Sequence, residues 1–120
     1  IDLTIVSWSR QMQACEQAAE QLAAQGVQAE LIDLRTIWPW DKDAVLQSVA
    51  KTGRLLVVHE AIRVAGFGAE IAATVAEETG AKVARLGAPR IPVGYAPTLE
   101  AEARVSAAHI SAAAQKLVAP

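Results

Sequence analysis

Leu55-Leu56-Val57-Val58, four aliphatic residues without a polar break between Gly53-Arg54 and His59-Glu60, decide the fold of this chain. A strand with one wet face alternates apolar and polar residues. An unbroken run therefore predicts a strand covered on both faces, as in a parallel sheet between two layers of helices. Three further runs read as strands: Leu3 to Val6, Ala29 to Leu34 and Val83 to Leu86. The second carries Glu30 and Asp33 and is expected nearer a sheet edge.

Between these runs the period changes to that of a helix. From Arg10 to Gln25, Met12, Cys15, Ala18, Ala19, Leu22 and Ala23 fall on one face, with Gln11, Gln17, Glu20 and Gln21 opposite. Ser9 is placed to cap its start, and Gly26 to end it in the left-handed conformation. Asp41 predicts the N-cap of a second helix that runs to Thr52 and stops at Gly53. Gly66 and Gly68 open a third, which turns Ile71, Ala72 and Val75 inward and ends at Gly80. Ser106 caps a fourth, whose Ile110, Ala113, Ala114 and Leu117 form a buried stripe.

Strands alternating with helices predict a three-layer α/β/α fold with a mainly parallel sheet, because parallel neighbours need a crossover that a helix supplies. Right-handed crossovers limit the topology further, and with the third strand buried on both sides and the second nearer an edge the strand order is expected to be 2-1-3-4. At 120 residues the chain has the size of one domain. It lacks an initiator Met and enters an apolar run at once, so residues 1–120 are read as one domain excised from a longer polypeptide.

Composition narrows the function classes. Apolar residues are 52% of the chain and aromatics only 4%, so the core has to be built from Ala, Val, Leu and Ile. Thirteen acidic and eleven basic side chains are spread without blocks, which offers nucleic acid nothing to bind. No run approaches the roughly 18 apolar residues of a membrane span, and no signal peptide opens the chain. Cys15 is the only cysteine, which fits a reducing, cytoplasmic setting.

In open sheets ligands collect beyond the carboxyl ends of the strands, here Ser7-Trp8-Ser9, Asp33-Leu34-Arg35, His59-Glu60 and Gly87-Ala88-Pro89. His59 beside Glu60 has the residue types for proton transfer, but without a partner motif it reads better as a histidine bonded to nearby backbone or set in an interface. Gly66-Phe67-Gly68-Ala69-Glu70 lacks the third glycine of a dinucleotide fingerprint and puts Glu70 where it would repel phosphate, so its glycines are expected to serve close packing. His109, three residues after Ser106, reads as a solvated or capping residue. Phosphate-loop, metal-pair and nucleophile-elbow patterns are all missing. Trp38-Pro39-Trp40 either plugs the core edge or forms an exposed aromatic patch suited to an interface. Arg63 and Arg90 fall in loops, from which each could reach a carboxylate or phosphate on another subunit.

The ordered series Asp2-Leu3-Thr4-Ile5-Val6, Glu30-Leu31-Ile32-Asp33-Leu34-Arg35-Thr36 with Pro39 and Asp41, Thr52-Gly53-Arg54-Leu55, Val57-Val58-His59-Glu60-Ala61 and Gly66-Phe67-Gly68-Ala69-Glu70-Ile71 resembles the transketolase carboxyl-terminal domain of 2-oxoacid dehydrogenase beta subunits. The resemblance extends over the whole chain, including Pro92, Tyr95 and Pro97. It implies a parent that decarboxylates a 2-oxoacid on thiamine diphosphate with Mg and acylates lipoyl groups, with the cofactor held by the alpha subunit and the other half of the beta subunit. No catalytic, cofactor-binding or metal residue is then expected in this domain. Its implied partners are the alpha subunit, a second beta subunit and, in some members, the lipoyl acyltransferase. Candidate interface residues are Trp38, Trp40, His59, Glu60, Arg63, Phe67, Glu70 and Arg90. Arg90 stands where relatives often carry an acidic residue, which disfavours acyltransferase docking. The connection Glu77 to Lys82 is short for the family, and Trp38 and Trp40 are larger than usual. Two other readings are the equivalent domain of a transketolase or deoxyxylulose phosphate synthase and a free-standing flavodoxin-like module. The His59-Glu60-Ala61 run argues against the first. The absence of glycine in Ser7-Trp8-Ser9-Arg10 argues against the second.

Overall fold

The computed structural model describes residues 1–89 and 104–120; Arg90, Pro92, Tyr95 and Pro97 lie outside them. The elements run β1 (Leu3–Ser7), α1 (Gln11–Ala24), β2 (Ala29–Asp33), α2 (Lys42–Thr52), β3 (Arg54–Ile62), α3 (Phe67–Thr79), β4 (Lys82–Ala88) and α4 (Ala107–Val118). All the described strand pairs are parallel and the order is β2-β1-β3-β4, as expected from the buried pattern of the third strand and the edge-like second.

Leu55 to Val58 are wholly buried, and alternation sends them to opposite faces. Leu56 and Val58 join Leu3 and Ile5 of β1 in a layer closed by Cys15, Ala18 and Leu22 of α1 and Ile110, Ala114 and Leu117 of α4. Leu55 and Val57 join Val6 in the other layer, closed by Val45 and Val49 of α2 and Ile71 and Val75 of α3. Alanines on α1 and α4 let those helices lie close to each other and to the sheet. Burying an aliphatic side chain of this size contributes about 1.5–3 kcal/mol, so the two layers carry most of the driving force for folding.

The helix ends follow their predicted signals, with one exception. Asp41 accepts from the Ala44 N–H, and Gly53 and Gly80 end α2 and α3 at a φ of +69°. Ser106 and His109 form a reciprocal capping box, so His109 is a capping residue. Ser9 does not cap α1. The chain turns so sharply after β1 that Ser9 adopts a φ of +57°, Arg10 occupies the cap position, and no side-chain cap bond forms. On α1 itself, Gln11 is buried rather than exposed because its amide donates to the Val105 carbonyl at 2.8 Å, while Ala23 faces solvent.

Two buried polar contacts fix the layers in register. Thr4 Oγ1 lies 2.7 Å from Ser48 Oγ and 2.8 Å from Thr52 Oγ1, which joins β1 to two consecutive turns of α2. Ser7 Oγ donates to the Val58 carbonyl at 2.6 Å and ties β1 to β3. The Cys15 thiol sits in the same apolar layer, and burial pushes its pKa up to about 11. Thr4→Val keeps the shape but takes a hydrogen-bond partner from the buried Ser48 and Thr52 hydroxyls, of which Thr52 keeps its bond to the Arg54 carbonyl. It is expected to cost about 1–3 kcal/mol, seen as a lower urea midpoint with an unchanged m-value.

Candidate functional site

Beyond its fully buried centre β3 continues to Ile62, further than the four-residue run predicts, because its pairing with β4 changes. Val58 pairs with Leu86 and Ile62 with Ala88, so β3 takes four steps where β4 takes two. His59, Glu60 and Ala61 form the resulting bulge, which bends the strand at the carboxyl edge of the sheet.

The bulge is held by His59. Its Nδ1 lies 2.9 Å from the Ala61 carbonyl oxygen. A carbonyl only accepts, so Nδ1 carries the hydrogen and Nε2 the lone pair. Nε2 is buried and has no hydrogen-bond partner. The ring lies in a hollow that two glycines leave. A Cβ on Gly68 would stand 2.6–2.7 Å from its Cδ2 and Nε2. One on Gly66 would stand 2.7–2.9 Å from Cε1 and Nε2 and would also strike the Ile62 carbonyl. Trp8, directly after β1, covers the imidazole with ring centroids 5.5 Å apart, and Phe67 meets Trp8 edge-on at 6.2 Å. Burial, with the Arg85 charge, holds the His59 pKa below the ordinary histidine range, although the bond to Ala61 pulls the other way.

Around this seat the backbone is crowded. Arg85 donates through Nη1 to the Arg63 carbonyl at 2.7 Å, and Arg63 N–H donates to the Ala88 carbonyl at 3.0 Å. A Cβ on Gly87 would meet Ala61 O and Arg63 N and Cα at 2.8 Å. Ala65 reaches Gly66 through a φ of +60°, which is costly for a residue with a Cβ.

Of the predicted interface residues, His59, Glu60, Arg63, Phe67 and Glu70 come together here, with Glu60, Arg63 and Glu70 exposed. The Trp38-Pro39-Trp40 segment divides. Trp40 packs on the α2/α3 core layer with Trp8 and Phe67, while Trp38 is 77% exposed. Arg90 lies outside the described residues. Trp8 and Gly87 belong to the strand-end runs named from the sequence, but without the role they have here, and Arg85 lies outside those runs; an aromatic residue directly after an apolar strand is a legible sign that the strand end is covered.

A separate open cleft of about 480 Å³ lies between the ends of β1 and β2, lined by Trp8, Ser9, Asp33, Leu34, Arg35 and Ile37. Its charged groups face each other, with Arg35 Nε 3.5 Å from Asp33 Oδ2. Among the described residues no three His, Cys, Asp or Glu side chains are grouped to hold a metal, and no helix is long and apolar enough to cross a membrane.

The packing of the hollow gives a discriminating test. Gly66→Ala and Gly68→Ala should each destabilise the fold by about 1–3 kcal/mol through overpacking. Adding His59→Ala should relieve Gly68→Ala, whose main obstacle is the ring, and leave Gly66→Ala uncorrected, because the Ile62 carbonyl remains. Urea midpoints of the four variants decide it.

Comparison with known proteins agrees with this architecture. Residues 1–110 match the family described as "Transketolase, C-terminal domain". The acetoin:2,6-dichlorophenolindophenol oxidoreductase subunit beta of Cupriavidus necator is 41% identical over 119 residues, which cover 96% of this chain and 35% of that protein. The mitochondrial pyruvate dehydrogenase E1 component subunit beta of Dictyostelium discoideum is 39% identical over 120 residues, covering 97% of this chain and 34% of that one. A solved structure described as "Split gene transketolase, inactive beta4 tetramer" superimposes with a TM-score of 0.88 at 26% identity, over 98% of this chain and 39% of that chain. The chain thus spans little more than a third of these relatives. It belongs to the transketolase carboxyl-terminal domain family and is homologous to beta subunits of 2-oxoacid dehydrogenases of the pyruvate, branched-chain and acetoin types.

Proposed function

We propose that this chain is the assembly domain of a 2-oxoacid dehydrogenase beta subunit, supplying subunit contacts while catalysis is performed elsewhere in the complex. The observation that carries this reading is the state of the carboxyl edge. The imidazole that could move protons there is inside the packing, whereas Ile62, Val64 and Trp38 stand 41%, 51% and 77% exposed. Exposed apolar and aromatic side chains beside arginines are the composition of a contact surface.

The relatives support the same view. Two are named as beta subunits, which places an alpha subunit among the expected partners. The structural neighbour is described as an inactive tetramer of beta chains, which fits beta-to-beta contact and a requirement for a further subunit. In this reading the parent complex oxidatively decarboxylates a 2-oxoacid on thiamine diphosphate with Mg and passes the acyl group to a lipoyl group. Among the described residues no three His, Cys, Asp or Glu side chains are grouped to hold the Mg ion of that cofactor. The charges exposed at this edge are of both signs, Glu60 and Glu70 with Arg63. The cytoplasmic placement rests on Cys15 alone, and the relatives include mitochondrial and bacterial proteins.

The closing measurements address cofactor and contact separately. Calorimetry of the chain with thiamine diphosphate and Mg should show no stoichiometric binding, and clear binding would overturn the assignment. In the full beta subunit, Trp38→Ala and the pair Ile62→Lys with Val64→Lys should weaken association with the other subunits by about thirtyfold, the effect of losing about 2 kcal/mol at a contact hot spot. Unchanged sedimentation profiles for both variants would move the interface elsewhere.

A further inference from the structure

Among the described residues, the buried side-chain polar atom without a hydrogen-bond partner at the carboxyl edge is Nε2 of His59, and its surroundings determine what a proton there would do. The Ala61 carbonyl already uses the Nδ1 hydrogen, so Nε2 is the only place a second proton can go. At that atom no acceptor waits. The ring itself fills the space beside the two glycines, where a Cβ added at Gly66 or Gly68 would stand less than 3 Å from it.

Charges around the ring make a cation still less welcome. The first turn of α3, which begins at Gly66, presents the positive end of the helix dipole. Arg85 on β4 acts on the imidazole, and Arg63 follows directly after β3. Glu60 on the bulge and Glu70 in the first turn of α3 are the carboxylates at this end of the packed elements, both exposed to solvent, while Glu77 and Glu78 lie in the last turn of α3. From β1 the ring meets only the uncharged indole of Trp8.

We propose that His59 is a proton-operated latch: its neutral ring, seated between the β3 bulge and the glycines that open α3, holds these two segments together, and a proton on Nε2 releases them. An imidazolium has to leave the hollow to be solvated. Its departure removes the bond that closes the bulge and the contact that fixes Gly66 and Gly68, next to Ala65 in its costly left-handed conformation. The segment freed includes Ile62, Arg63 and Val64, so the exposed surface at this edge changes with protonation. None of this depends on which subunit the surface meets.

The direction follows from linkage. A histidine held below its ordinary value in the folded state binds its proton more readily once released. The latch is therefore closed above about pH 6.5 and opens as the pH falls from there toward the folded-state value. Hydrogen exchange of the full chain, corrected for the intrinsic pH dependence of exchange, reads this opening. Protection of amides 59–71 should fall by up to about tenfold per pH unit below that point, the limit for one proton, while amides of β1 and α1 keep theirs. His59→Asn retains a donor for the Ala61 carbonyl but does not titrate, and its profile should be flat; if the variant is less stable overall, the slope remains the readout. Nitrogen-15 NMR of the wild-type imidazole at pH 7.5 should show the Nδ1–H tautomer. An Nε2–H or charged ring at that pH, a flat wild-type profile, or an equal slope in the variant would each overturn the latch.

Discussion

Covering β3 on both faces is the constraint on which the rest of the structure depends. Four consecutive aliphatic side chains can leave water only if helices lie above and below, and the three crossover helices together with the terminal α4 supply one pair for each side. Once β3 is central, β1 must lie beside it with its own alternation in phase, which points Thr4 into the α2 layer with Val6. A hydroxyl there is tolerable only with partners, and Ser48 and Thr52 provide them on successive turns of α2. The polar contact thus follows from the apolar pattern, and in turn it sets where along the sheet α2 can rest.

The same constraint explains the carboxyl edge. Past Val58 β3 runs beyond the cover of its helices, and continuing a flat ladder would carry apolar side chains into solvent. The bulge breaks the ladder, folds His59 back under α3 and sends the chain out again at Ile62. Glycine is required at 66 and 68 because a ring lies where a Cβ would be, and at 87 because the bulged backbone itself lies there. Three glycines on two elements are thereby accounted for by one change of register.

Much of this was legible in the residues. Leu55 to Val58 announced the central strand, Glu30 and Asp33 the edge, Asp41 and Ser106 the caps, and the spacing of Gly66 and Gly68 a close approach. Those signals are local, and local structure obeys them. What was not legible depends on neighbours distant in sequence. Gln11 looked like a solvent-facing residue until Val105, 94 positions away, offered its carbonyl. Ser9 looked like a cap because its type is right, but the tight turn out of β1 decided its backbone conformation. The bulge at His59 needs the register of β4, which no pattern within β3 contains. Trp38 and Trp40 have the same residue type and flank the same proline, so only the tertiary fold could separate the one that packs from the one that does not.

The place where a sheet of this order would hold a ligand is the switch point between β1 and β3, where successive crossovers depart to opposite sides. A binding crevice needs space there. Here Trp8 extends from the end of β1 and His59 from the bulge of β3, and the two rings stack across the gap with Phe67 behind them. Among the described residues aromatic packing covers the crevice, and His59 there is bonded through Nδ1 to the Ala61 carbonyl while its Nε2 is buried without a hydrogen-bond partner. The separate cleft between β1 and β2 places Arg35 beside Asp33 at 3.5 Å. With His59 held beneath the surface, the exposed residues at this edge, Trp38, Ile62 and Val64 among them, are the ones on which the proposed contact role rests.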